Sequence, residues 1–157
     1  RARDGIRFYW VHVLLQGGVF FALLQQWWEF WEMEGMGEIS FFAVLTLLAS
    51  PILLFLIAHL LFPAQAQGAN LEEYYYRQSS LLWILVVLGT LKGTFLDALV
   101  FGYPVFHPAN LSGIPMVACA LVLAVSKNRR LHGVLVPIII LTVLLDTILA
   151  TPVISAG

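Results

Sequence analysis

Charge is scarce in this 157-residue chain: Asp, Glu, Lys and Arg make up 11% of it, against 61% apolar residues. So little polar surface excludes a soluble globule of this size, and a mean hydropathy of +0.90 points to lipid as the solvent. Cysteine is nearly absent. Cys119 alone, inside an apolar run, permits neither an intramolecular disulfide nor a thiolate metal cluster within the chain. A basic surplus is missing too: the net charge is -1, and no Lys/Arg cluster is interleaved with aromatics, which argues against nucleic acid as a partner. Nucleophile-elbow, phosphate-loop, dinucleotide and H-E-x-x-H patterns do not occur, and neither does an internal repeat or a low-complexity tract.

What is present is a series of apolar runs, at about 8–30, 40–62, 79–101, 112–126 and 131–154. In a bilayer each must be a helix, because bare strands and loops leave backbone groups unpaired. The expected fold is an all-α integral membrane bundle of about five transmembrane helices, forming a single domain over 1–157. The fourth run is short and carries Pro115 near its start, where a missing N–H costs little. Asn70 reads as an N-cap, with Glu72 and Glu73 in the first turn of a helical lead-in expected to lie on the membrane surface. Because the chain does not begin with Met, a further helix before Arg1 is also expected.

The cations set the orientation. Arg1, Arg3 and Arg7 precede the first run, Arg77 lies in the second connection, and Lys127, Arg129 and Arg130 in the fourth. These segments fall on one side of the bilayer if successive helices alternate, which predicts a cytoplasmic location for them. Glu29, Glu32, Glu34 and Glu38 and the C-terminal tail are then periplasmic. Aromatic belts agree, with Phe8, Tyr9, Trp10 and Tyr74–Tyr76 at the inner face and Trp27, Trp28 and Trp31 at the outer face.

The eighth cation, Lys92, lies within an apolar run, where a charge needs a reason. Along the third helix Gly89, Gly93 and Asp97 recur every four residues, and the glycines form a G-x-x-x-G pair that allows a neighbouring helix to approach closely. Counted along their helices, Lys92, Asp146 and Asp97 sit at depths of roughly 19, 22 and 27 Å, close enough to meet. Two readings follow: an ion pair of Lys92 with Asp146 or Asp97 that fixes helix packing, or a transport path using all three groups. Gly17 and Gly18, beside Gln16, mark a further tight helix contact, and Gln25 and Gln26 bond across helices or at the outer interface.

His12, His59 and His132 fall near the inner ends of three helices. Two imidazoles from different helices are the ligand set of a b-type haem and three suit a metal, but no helix carries two histidines on one face. Snorkelling or hydrogen-bonded histidines are the simpler expectation, and His107 reads as a turn residue. No cofactor is expected. The Trp27, Trp28 and Trp31 cluster would nonetheless be able to stack a pigment or quinone. Pro51 and Pro137 are expected to bend their helices.

The stretches SFFAVLTLLASPILLFLIAHLLFP at 40–63, LEEYYYRQSSLL at 71–82 and SKNRRLH at 126–132 resemble a group of small uncharacterised bacterial multi-pass membrane proteins. That resemblance implies placement in the bacterial inner membrane and a helix before the present start, and carries no activity. The expected role is a non-catalytic accessory or scaffold subunit, packing in lipid against itself or other membrane subunits. The alternative is a small transporter using Lys92, Asp97 and Asp146.

Overall fold

A computed structural model of the chain describes residues 7–32, 38–63, 70–102, 104–105 and 112–150, without the side chains of Glu29, Trp31, Glu32, Leu149 and Ala150. Glu34, His107, the residues before Arg7 and the tail after Ala150 lie outside the described residues. The chain is all-α. Its helices are α1 (Trp10–Glu32), α2 (Phe41–Leu61), α3 (Leu71–Phe101), α4 (Gly113–Val125) and α5 (Arg129–Ala150).

Local chemistry sets most boundaries. The Ser40 hydroxyl accepts from the Ala43 N–H at 3.1 Å and opens α2, while the Asn70 side chain accepts from the Glu73 N–H at 3.4 Å and opens α3. Gly102 closes α3 with φ of 74°, a left-handed conformation that favours glycine. The segment after Asn70 is not a separate surface helix: it runs without a break into the apolar span, giving one helix of 31 residues, about 46 Å long. Pro51 and Pro137 sit inside α2 and α5, and both helices continue through them.

Three helices, α2, α3 and α5, are long and apolar enough to cross a membrane. The expectation of about five such helices is thus met by three among the described residues. At 23 residues α1 is long enough, but its glutamines, His12 and tryptophans lower its hydropathy, and α4 has 13 residues, about 20 Å.

The five helices close into a ring. Each packs on its neighbours in sequence, and α5 packs back on α1. Three contacts fix the alternation of direction: the Leu71 N–H donates to the Arg7 carbonyl at 3.2 Å, Lys127 reaches Tyr76 at 2.8 Å, and Gly113 lies against Thr94. With an odd number of helices the closing pair must be parallel. Trp10 accordingly meets Gly133, and Gly18 meets Ile140 about two turns further along both helices. This arrangement gathers Arg7, Arg77, Lys127, Arg129 and Arg130 at one end of the bundle, called here the basic end. Most of the core also lies towards that end, around Tyr9, Leu15, Leu61, Tyr75, Trp83, Leu123 and Val136.

Candidate functional site

Three features of this ring are candidates for chemistry: a polar plug at the basic end, a charged pair on the far half of α3, and a lumen between the helices.

The plug is built from the tyrosine run of α3. Tyr75, 1% exposed, accepts a hydrogen bond from the Trp83 indole N–H at 3.0 Å and lies 2.6 Å from His132 Nδ1. Its hydroxyl proton therefore goes to Nδ1, which leaves His132 Nε2 protonated and donating to the Ser126 carbonyl at 2.9 Å. Trp83 and Tyr75 of α3, His132 of α5 and the Ser126 carbonyl just past the end of α4 are thereby joined in one chain. Beside it the Tyr9 and Tyr76 hydroxyls meet at 2.9 Å. Burial, and then the hydroxyl contact with Tyr76, push the Tyr9 phenol above its ordinary range and keep it neutral.

His12 contacts the opposite side of this cluster, edge-on to Tyr75 at 6.3 Å. Its Nε2 faces the Gln16 amide N–H at 3.3 Å, and the same amide group donates to the Leu61 carbonyl at 3.2 Å. His12 Nδ1 is buried without a partner among the described residues. His59 is exposed on α2 and stacks with Phe55 at 6.4 Å. The three histidines do not form one ligand set, and both nitrogens of His132 are engaged. Among the described residues no three His, Cys, Asp or Glu side chains converge as a metal would require.

Lys127, which in the sequence marks only topology, has a structural role as well. Its ammonium donates to the Tyr76 carbonyl at 2.8 Å and to the Ser79 and Ser80 hydroxyls at 2.7 and 3.0 Å, pinning the end of α4 to α3.

The charged pair depends on a local change of helix type. Residues Lys92–Leu96 form a π turn, in which the Asp97 N–H donates to the Lys92 carbonyl five residues back. In an ordinary α-helix residues five apart diverge by about 140° around the axis. The wider turn brings Asp97 over Lys92, and their side chains pair at 2.9 Å. Lys92 also donates to the Ser50 hydroxyl of α2 at 2.5 Å. Asp146 is half-buried on α5, which packs on α1 and α4; the carboxylate that Lys92 meets is Asp97. Asp97 Oδ1 remains buried without a partner among the described residues.

The glycines divide unexpectedly. Among the described residues a Cβ at Gly93 would meet nothing within 4 Å and one at Gly89 only a Leu53 methyl at 4.0 Å, so the G-x-x-x-G pair makes no close helix contact there. Gly17 is equally open. Gly18 is close-packed: a Cβ there would lie 3.2 Å from Ile140 Cδ1. The closest approach was not legible in the sequence: Gly113, at the start of α4, sits directly on the Thr94 side chain of the π turn. Its only signal was a glycine at the predicted helix start.

The lumen is an apolar cavity of about 790 Å3. Its walls come from α1, α2, α3 and α5, with Met116 from α4. Gly17 and Gly89 belong to these walls, and their missing side chains enlarge the space. Lys92, Asp97 and Asp146 are not among the lining residues.

Comparison with protein-family models, curated proteins and solved structures finds no match to this chain.

Proposed function

We propose that this chain is a non-catalytic membrane subunit, a helical scaffold of the bacterial inner membrane with its basic end cytoplasmic. The observation that carries the reading is the closure of the Lys92 charge within the bundle. Lys92 meets Asp97 on its own helix and Ser50 on α2, and neither charged group lines the lumen. Carboxylates and amines that serve a transport path face water or a polar channel. These instead neutralise one another and hold α2 against α3.

The outer surface supports the same role. Large apolar side chains such as Phe20, Leu24, Phe55, Leu99 and Ile148 point away from the ring, as lipid contact or a neighbouring subunit requires. The concentration of arginines at one end matches the rule that cationic loops stay in the cytoplasm.

Substitution separates this reading from transport. Lys92→Met leaves Asp97 without its cation and is expected to destabilise the bundle by about 2–3 kcal/mol. Thermal unfolding in detergent measures the loss. Adding Asp97→Asn to Lys92→Met should recover most of it, and the doubly substituted protein should still co-purify with whatever partners the unsubstituted protein brings from native membranes. A stable double variant that has lost a measurable solute flux would instead establish the transporter reading.

A further inference from the structure

We infer that the lumen is a binding site for one acyl chain of an anionic phospholipid, taken from the leaflet at the basic end. This rests on the membrane placement, and it goes beyond the scaffold reading.

The first argument is the shape of the cavity. Its lining includes fully buried Leu82 and Trp83, and also Phe8, Trp10 and Val13, which are exposed. The space therefore reaches from the interior of the ring to the outer surface beside the start of α1. From Trp10 to Gln26 its wall follows α1 for about 24 Å. One leaflet of the roughly 30 Å hydrocarbon core is about 15 Å deep, so an extended chain from that leaflet fits lengthwise. A volume of about 790 Å3 lies within the range of small-ligand sites.

The second argument is the chemistry of the walls. Ser50, Thr90 and Trp83 supply polar atoms, engaged with Lys92, with the Val86 carbonyl at 2.9 Å and with Tyr75, and the Gln25 and Gln26 amides lie at the far end of α1, about four turns from Trp10. Between the opening and those glutamines the walls are apolar or already satisfied, which suits methylenes. Water does not hold in an apolar space, and an empty one forfeits dispersion contacts, so hydrocarbon is the favoured filling.

The third argument is charge at the opening. Arg7 precedes Phe8 directly, and Arg130 lies one turn before Gly133, against which Trp10 packs. Both arginines are exposed, and neither forms an ion pair among the described residues, whereas Arg129 is paired with Glu72 at 3.2 Å. A phosphate headgroup at this opening would meet two cations while its chain passes between Phe8 and Trp10.

Fluorescence quenching tests the site, because Trp83 is 0% exposed and lines the cavity. A full-length variant with Trp83 as its only tryptophan is reconstituted into phosphatidylcholine vesicles containing phosphatidylglycerol brominated on its acyl chains. Strong quenching of Trp83 is expected. Gly17→Leu together with Gly89→Leu should abolish it while the circular dichroism spectrum stays unchanged; where that pair fails to fold, Ala22→Phe serves the same purpose. Replacing Arg7 and Arg130 with Gln should weaken the preference for brominated phosphatidylglycerol over brominated phosphatidylcholine by roughly fivefold per arginine. An unquenched Trp83 overturns the site if a variant retaining only the exposed Trp27 is quenched in the same vesicles. If Trp27 too is unquenched, it is the membrane placement that fails, and the site with it. Equal quenching by both lipids in the unsubstituted background overturns the anionic assignment, as would a quinone or other lipophile co-purifying in place of phospholipid.

Discussion

Tyr75 shows how one side chain can organise an end of the bundle. Its hydroxyl accepts from Trp83 on the same helix and donates to His132 on α5, so the α3–α5 junction depends on one oxygen. Tyr75→Phe keeps the ring and leaves the Trp83 N–H and His132 Nδ1 without partners. Each such buried group costs about 1–3 kcal/mol, so a total loss of about 2–6 kcal/mol is expected in thermal or denaturant unfolding. Trp83→Phe removes one donor alone and should cost less. A loss below about 0.5 kcal/mol for Tyr75→Phe would show that the hydrogen-bond chain does not hold the plug. Little of this network is readable from residue order. The run Tyr74–Tyr76 fits an interfacial belt, and helical phase alone does not reveal that Tyr75 is fully buried while Tyr74 and Tyr76 are only partly so. Lys127 was likewise visible only as a charge, because its acceptors lie about fifty positions earlier in the chain.

Between elements, the π turn of α3 and the start of α4 form one unit. The wide turn stacks Asp97 on Lys92 and presents Thr94, which is buried beneath Gly113. Gly113→Ala forces a methyl into the Thr94 side chain and is expected to cost about 1–3 kcal/mol through overpacking. Adding Thr94→Ala should recover at least half of that loss, a coupling that a double-mutant cycle measures directly. By contrast Gly93→Ala meets open space and should leave stability unchanged or slightly raised, since alanine is the better helix former. Helix type explains why the sequence misled here. Four-residue spacing assumes an unbroken α-helix, and a π turn between Gly89 and Asp97 shifts every later side chain around the axis. The expected shared stripe of Gly89, Gly93 and Asp97 is dispersed in this way, and the carboxylate partner of Lys92 is the near one.

For the whole molecule, the odd helix count and the gathered arginines make a compartment-level prediction. In a Cys119→Ser background, single cysteines at Glu38 and Asn128 should react with a membrane-impermeant maleimide from opposite sides of the bilayer. Labelling of both from one side would remove the alternating arrangement, and with it the cytoplasmic basic end. Ring closure also accounts for the α1–α5 contacts, a close one at Gly18–Ile140 and an ordinary one at Trp10–Gly133, where the parallel closing pair meets.

Composition and the spacing of apolar runs were enough to determine the all-α class, because hydrocarbon tolerates only internally bonded backbone; of the about five membrane-crossing helices expected, three among the described residues are long and apolar enough. The placement of cations at alternate loops was enough to predict which ends share a side. Only the tertiary structure decided which carboxylate Lys92 meets, which glycines are crowded and which open a lumen, and that His132 is held by Tyr75. Those outcomes depend on the rotation of each helix about its axis, which short-range periodicity does not specify when most faces are apolar.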